Sequence, residues 1–223
     1  MCDEPLISVV MATYNDAQDL KRSVGSILRQ TFRRLEMIII DDGSTDNTQE
    51  VLLGIQDDRL VLIKNDKNKG LPYSLNRGIM CARGKYIARM DADDISFPKR
   101  LELQYEYMES HPDITICGCD YVYLNENRKP VYYHVDDNSD EIRSRVIYTQ
   151  PLAHPSWVIR KADISGKIKY NNKFKRSQDY EMMCQIIKHG LKLGNVEKTL
   201  LFYDYRDNSI SHKNKTRKWQ ILV

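Results

Sequence analysis

Short apolar runs rich in branched residues alternate along the first ninety residues with stretches whose apolar positions recur every three or four residues. Leu6 to Ala12 (LISVVMA) is apolar at all but one position, the pattern of a strand buried on both faces. Asp16 is then placed to cap a helix carrying Ala17, Leu20, Val24, Ile27 and Leu28. Leu35 to Ile40 (LEMIII) predicts a second strand, stopped by Asp41-Asp42-Gly43-Ser44. A helix over about Thr48 to Ile55, a strand over Leu60 to Ile63, a turn at Asn68-Lys69-Gly70 and a helix over Leu71 to Cys81 follow. Tyr86 to Met90 predicts a fourth strand, running into Asp91-Ala92-Asp93-Asp94. Strand-helix alternation with short connections implies a parallel, doubly wound α/β sheet. Ligands of such sheets bind beyond the carboxyl ends of the strands. The polar clusters at 13–15, 41–44 and 91–94 all fall there.

After Pro98 the pattern loosens. Pro98 suits the first turn of a helix reaching Ser110, with Leu101, Leu103, Tyr105 and Met108 on its buried side. Ile114 to Leu124 and Pro130 to Val135 predict strands of a mixed or antiparallel part, and Asp140 to Val146 a short helix. His154 to Ile159 predicts a strand, Gln178 to His189 a helix ended by Gly190, and Leu200 to Tyr205 a last strand.

Composition narrows the picture. With 223 residues, 41% hydrophobic and 29% charged, the chain can build one sizeable core. It has no run of 18 apolar residues, so a spanning helix is excluded. The formal charge is +3, and Lys213, Lys215, Arg217 and Lys218 near the C-terminus account for it. The body is thus near neutral, which gives no support to nucleic-acid binding. No secretory signal is expected from the first eight residues, and the five cysteines include no CxxC pair. Reduced core thiols in a cytoplasmic protein are the expectation.

Asp91 and Asp93 stand two apart at a strand end, so both carboxylates can point the same way. Hard divalent cations take such oxygens, completed by substrate phosphates. Alone, the pattern reads more readily as a solvated acidic turn, since a lone DxD occurs often by chance. An EF-hand starting at Asp91 fails because its sixth position is Ser96 and Pro98 falls inside it. A Walker A loop fails on the spacing of Gly78 and Gly84, and no GxGxxG follows the first strand. Tyr14 and Asp42 follow the first two strands, where a ring could stack on a base and a carboxylate accept its imino hydrogen. A packing tyrosine and a helix cap would look the same.

Taken in order, SVVMATYN (8–15), IIIDDGSTDNT (38–48), NKGLPYSLNRGI (68–79), ARGKYIARMDADD (82–94) and PKRL (98–101) resemble the family 2 glycosyltransferases. HPSWVIR (154–160), SQDYEM (177–182) and YRDNSIS (205–211) resemble the family's second half. The resemblance implies the GT-A fold, a doubly wound mixed sheet flanked by helices, and one domain over 1–212. Residues 5–97 would form its nucleotide-sugar half and 98–212 its acceptor half, with 213–223 a basic-then-apolar tail. It implies an inverting hexosyl- or N-acetylhexosaminyl-transferase using Mn²⁺ or Mg²⁺ and a nucleotide-sugar, commonly UDP-linked. The acceptor would be a glycan or a lipid-linked glycan.

By the same resemblance Ala12 and Tyr14 would meet the base, and Asp42 would read the uracil. Asp91 would lie near the ribose and donor sugar, and Asp93 would hold the metal. Asp179 would be the general base, taking the proton of the acceptor hydroxyl. Ala12 stands where many members have Pro, and Gln178 where the family has Glu before the base. His154 and His212 are further candidates as metal or diphosphate contacts, outside this set. A sugar nucleotidyltransferase is the alternative enzyme class, disfavoured because the loop after the first strand is Ala-Thr-Tyr-Asn and not glycine-rich. A non-catalytic nucleotide-sugar binder is disfavoured by Asp179. The tail, four basic residues followed by Trp219, Ile221, Leu222 and Val223, suits peripheral contact with an anionic membrane from the cytoplasmic side.

Overall fold

The apolar strands assemble as the alternation demands. A computed structural model, which describes residues 4–174 and 176–204, contains a mixed sheet of nine strands. Strands β1 (Ile7–Thr13), β2 (Leu35–Asp41), β3 (Leu60–Lys64) and β4 (Tyr86–Arg89) run parallel in the spatial order β3-β2-β1-β4. Helices α1 (Ala17–Leu28), α2 (Thr48–Leu53) and α3 (Leu71–Cys81) connect them. Beyond β4 come the two-residue β5 (Ile95–Ser96), α4 (Arg100–Ser110), β6 (Ile114–Leu124), β7 (Pro130–Tyr133) and α5 (Ser139–Val146). A 3₁₀ turn (His154–Ser156), β8 (Val158–Arg160), α6 (Lys161–Ile164), α7 (Gln178–Lys188) and β9 (Lys192–Phe202) complete the described chain. The sheet continues β4-β8-β6-β9-β5, with β8 antiparallel to both neighbours, β6 parallel to β9, and β7 pairing with β6.

Strand alternation sorts the apolar side chains onto the two faces of the sheet. Ile7, Val9, Met11, Met37, Ile39 and Ala88 pack with Leu20, Val24 and Ile27 of α1 and Leu101 and Met108 of α4. Val10, Ile38, Ile40 and Ile87 pack instead with Leu75 of α3 and with Trp157, Met182, Met183 and Ile186. Burial on both faces is why these strands read as continuous apolar runs. On α4, Leu103 and Tyr105 are only partly buried, and the fully buried polar residues are Arg100 and Gln104. Arg100 donates to Ser96 Oγ (2.9 Å), to the Arg89 carbonyl (2.8 Å) and to Gln104 Oε1 (3.0 Å), which ties α4 to the end of β4.

Several expectations are corrected. Residues 154–156 form a 3₁₀ turn and not a strand, because Pro155 has no N–H to give a ladder. The last strand begins at Lys192, eight residues before the expected Leu200. Its start is masked by Asn195, Glu197 and Lys198, and its register against β6 shifts at Asp120. The two-residue β5 and the single turn α6 carry no periodicity to read. Asp16 does not cap α1: its Oδ2 turns back to accept from Thr13 Oγ1 (3.1 Å) and Tyr14 N (3.2 Å). Of the described cysteines, Cys117 and Cys119 are buried thiols, while Cys81 and Cys184 are exposed. Among the described residues no helix is long and apolar enough to cross a membrane. His212 and the tail 213–223 lie outside the described residues.

The approach of α3 to the sheet is set by Gly78. A Cβ there would meet Val10 Cγ1 at 2.5 Å and Ile40 Cδ1 at 2.7 Å. Both are stiff branched side chains in a packed core, so the helix must move outward. Gly78→Ala is therefore expected to destabilise the protein by about 1–3 kcal/mol in urea unfolding, despite the better helix propensity of alanine.

Candidate functional site

The loops that leave β1 and β2 are knotted together. Thr13 accepts from the Asp42 N–H through its carbonyl (2.9 Å), and Asn15 takes a left-handed conformation at φ 57°. From there Asn15 Oδ1 accepts from Thr45 N (2.8 Å), Ser44 Oγ accepts from Asn15 N (3.0 Å), and Thr48 Oγ1 accepts from Asp16 N (3.0 Å). Tyr14 stands at the tip with its ring 42% exposed, and Ala12, half-buried, packs against the second core cluster below it. Asp42 is buried, and its carboxylate accepts from Asn65 Nδ2 (2.6 Å), Lys69 N (2.9 Å) and Gly70 N (2.8 Å). It thereby ties down the segment that leads into α3. That segment crosses so close to Gly43 (φ 76°) that a Cβ would lie 2.5 Å from the Lys67 carbonyl carbon. Only glycine meets both demands.

The acidic loop is held through its backbone and through two of its carboxylates. β4 leaves β1 after Arg89, opposite Val10, and the chain turns through 91–94 before β5 pairs with the end of β9. Side chains of α1 hold the turn: Ser23 Oγ donates to the Asp91 carbonyl (2.8 Å) and Arg22 to the Asp93 carbonyl (2.9 Å). Arg22 also pairs with Asp204 (2.9 Å), whose N–H donates to Asp94 Oδ1 (2.8 Å). Asp91, Asp93 and Asp94 each offer an oxygen within 4.8 Å of the others. The buried Arg89 guanidinium pairs with Asp91. Burial opposes the Arg89 charge, but Asp91 outweighs it, and the cation is retained. Burial, then Asp91 and Asp93 beside it, pushes the Asp94 carboxyl well above the usual carboxylate range. Asp94 Oδ2 and two Arg89 nitrogens are buried with no hydrogen-bond partner. Three hard oxygens around an orphaned carboxylate atom fit a divalent cation such as Mn²⁺ or Mg²⁺.

Asp179 lies in the first turn of α7, half-buried, and its Oδ2 accepts from Gln150 Nε2 (2.7 Å). The phenol of Tyr170 relates it to the acidic loop. Burial pushes that phenol up, Arg89 opposes, and the charges of Asp179 and then Asp91 add to the rise. Tyr170 Oη meets His154 Nε2 at 2.6 Å. His154 is thus a buried core residue edge-on to Trp157, held far below the usual imidazole range by burial and then by Arg89. Glu181 faces elsewhere and accepts from Gln185 Nε2 (2.8 Å) on its own helix. Gln178, where the resemblance expected Glu, is buried.

The structure therefore groups Asp91 with Asp93 and Asp94, sets Tyr14 and Asp42 on two joined loops, and pairs Asp179 with Gln150 at the start of α7. The sequence reading passed over Arg89, Asp94, Arg22 and Gln150. Arg89 had a signal, a charged residue inside the apolar run Tyr86 to Met90. Asp94 was visible as the third acid of the cluster. Arg22 and Gln150 had none, since each acts only through a distant chain segment.

Comparison with known proteins shows the family and the fold. Residues 8–185 match the model of the family described as "Glycosyl transferase family 2". The chain is 38% identical over 227 residues to "Uncharacterized glycosyltransferase MJ1057" of Methanocaldococcus jannaschii, covering 96% of this chain and 77% of that protein. It is 28% identical over 206 residues to "UDP-Glc:alpha-D-GlcNAc-diphosphoundecaprenol beta-1,3-glucosyltransferase WfaP" of Escherichia coli, covering 92% of this chain and 80% of that protein. The crystal structure of S. aureus TarS 1-349 in complex with UDP-GlcNAc superposes with a TM-score of 0.77 at 19% identity. The superposition covers 91% of this chain but only 59% of the TarS chain, and it shows the shared GT-A fold.

Because the folded state keeps His154 neutral, stability should depend on pH. Below the ordinary imidazole value near 6.5 the unfolded chain takes up a proton that the folded chain refuses, so stability is lost as pH falls from there. The loss should grow steadily as pH falls from there toward 5. Thermal unfolding between pH 7 and pH 5 should show a steeper fall for wild type than for His154→Gln.

Proposed function

The chain belongs to glycosyl transferase family 2, and on that premise we propose that it moves a sugar, with inversion, from a UDP-linked donor to a hydroxyl of a glycan or lipid-linked acceptor in surface polysaccharide synthesis. The observation that carries this reading is the Asp91-Asp93-Asp94 cluster at the carboxyl end of β4, with a buried oxygen left unpartnered. A diphosphate brought beside three carboxylates is repelled unless a cation lies between them. The name of WfaP, which specifies a UDP-glucose donor and a lipid-diphosphate acceptor, supports the donor and acceptor classes, as does the UDP-GlcNAc bound to TarS. Residues 1–212 act as one catalytic unit. The tail from Lys213, by its basic-then-apolar order, serves to keep the enzyme at the cytoplasmic membrane face.

In this reading Tyr14 stacks on the uracil and Asp42 accepts its imino hydrogen, with Ala12 flooring that subsite. Asp91, aimed by Arg89, takes hydroxyls of the ribose and donor sugar. Asp93, with Asp94 beside it, holds the metal. A bound divalent cation supplies positive charge against the negative charge that develops on the leaving diphosphate. The acceptor oxygen attacks the anomeric carbon from the face opposite the diphosphate. As that bond forms, the carbon–oxygen bond to UDP breaks and the hydroxyl proton passes to Asp179. One displacement inverts the centre, and no covalent enzyme intermediate is involved.

Titrating UDP with and without Mn²⁺, in wild type and Asp93→Ala, tests the metal role. Wild type with Mn²⁺ is expected to bind at least about ten-fold tighter than the other three combinations, a difference of about 1.4 kcal/mol. Equal affinities in all four overturn it. For the base, Asp179→Asn should cost roughly 10²–10⁴ in transfer rate while leaving UDP affinity intact. Glu181→Gln, whose partner lies on its own helix, should stay within a few-fold of wild type. A panel of UDP-sugars scored for Mn²⁺-dependent hydrolysis identifies the donor for these assays. If Glu181→Gln is the inactive variant, Asp179 is not the base.

A further inference from the structure

We propose that Gln150 is the positioning residue of the general base, its side-chain amide fixing the Asp179 carboxylate in the direction of the acceptor. The proposal rests on the reading of Asp179 as the base. A carboxylate in the first turn of a helix has a fixed backbone but a free side chain. Here the backbone is fixed from several sides: Ser177 enters the helix in a left-handed conformation (φ 56°), and Gln178, Met182, Met183 and Ile186 are buried. Both oxygens of the side chain are then engaged. Oδ1 accepts from the Tyr180 N–H at 2.8 Å, and Oδ2 from Gln150 Nε2 at 2.7 Å. Two donors on two oxygens define the plane of the carboxylate. Each oxygen keeps a further lone pair with which to receive a proton.

The donor itself is anchored on both sides. Ahead of Gln150, the N–H groups of Tyr148 (3.0 Å) and Thr149 (2.8 Å) bond the Arg145 carbonyl at the end of α5. Behind it, Pro151 restricts the chain, and Leu152 is buried with its carbonyl accepting from Trp157 Nε1 at 3.2 Å. Gln150 therefore reaches Asp179 from a rigid segment that is 29 residues away in sequence. The short distance is that of a donor to a charged acceptor. A neutral amide suits the task, since it orients the carboxylate without cancelling the charge that makes it a base. The arrangement also accounts for the departure at Gln178. That residue is buried beneath the helix start, and the group beside the base comes from Gln150 instead.

A double-mutant cycle tests the role, with UDP-glucose and UDP-N-acetylglucosamine as donors, water as acceptor and Mn²⁺ present. Gln150→Met keeps the length and volume of the side chain and removes the donor. It should lower kcat about ten-fold or more, as small misplacements of a reacting group do, with donor KM, UDP affinity and melting temperature unchanged. Gln150→Glu, of the same shape but acceptor-only, should be impaired at least as much, and it tests the role if the methionine variant folds poorly. In the Asp179→Asn background Gln150→Met should cost nothing further, because its effect passes through the missing carboxylate. A wild-type kcat in Gln150→Met, a loss of UDP affinity equal to the loss of rate, or a full additional loss on top of Asp179→Asn each overturns the proposal. If Asp179→Asn is itself as fast as wild type, it is the reading of Asp179 as base that falls, and this role with it.

Discussion

Three carboxylates crowded at the end of one strand repel one another, and much of the structure around them serves to hold them together. Asp91, Asp93 and Asp94 have oxygens within 4.8 Å of each other, and Asp94 is almost wholly removed from water. Such a cluster cannot be held by contacts among its own side chains. The fold holds its backbone from α1 through Ser23 and Arg22, and the Asp94 carboxylate from beyond β9 through the Asp204 N–H. The buried guanidinium of Arg89 offsets part of the charge from below. Arg100, equally buried, fastens the carbonyl of Arg89 to α4 and β5. Two arginines in the core are costly unless their charge and hydrogen bonds are used: Arg100 uses its hydrogen bonds to brace the end of β4, while Arg89 pairs with Asp91 and keeps two buried nitrogens unpartnered.

The position of this cluster follows from the strand order. β1 to β4 run parallel and end at the same edge, whereas β8, on the far side of β4, runs the other way. The loops after β1, β2 and β4 therefore leave the sheet at one edge. His154 of the 3₁₀ turn and Tyr170, from the segment before α7, are joined by a 2.6 Å hydrogen bond.

Rigidity in this site comes from polar side chains that join one loop to another. Asn15 sews the β1 loop to the β2 loop, and Asp42 sews the β2 loop to the segment before α3. Each has a short polar side chain able to mimic a backbone partner. Three protein donors, Asn65 Nδ2 and the N–H groups of Lys69 and Gly70, hold the Asp42 carboxylate still.

Local pattern alone determined the first ninety residues, because their strands are buried on both faces and leave long apolar runs with turns between them. It also located the acidic loops at strand ends, since parallel topology allows no other place for them. The later half was legible only in part. β9 carries Asn195, Glu197 and Lys198 through its middle, so no apolar run announces it, and it exists because β6 offers an open edge. His154 read as a ligand candidate on chemistry alone, and only burial against Trp157 and Tyr170 made it a neutral core residue. The partnership of Gln150 with Asp179, and of Arg22 with the acidic loop, has no sequence signature at all. Hydrophobic periodicity is a local quantity, carried by neighbours three or four residues apart. The hydrogen bonds that hold the Asp179 carboxylate and the backbone of the acidic loop join residues 29 and 71 positions apart, and only the folded chain brings them within reach.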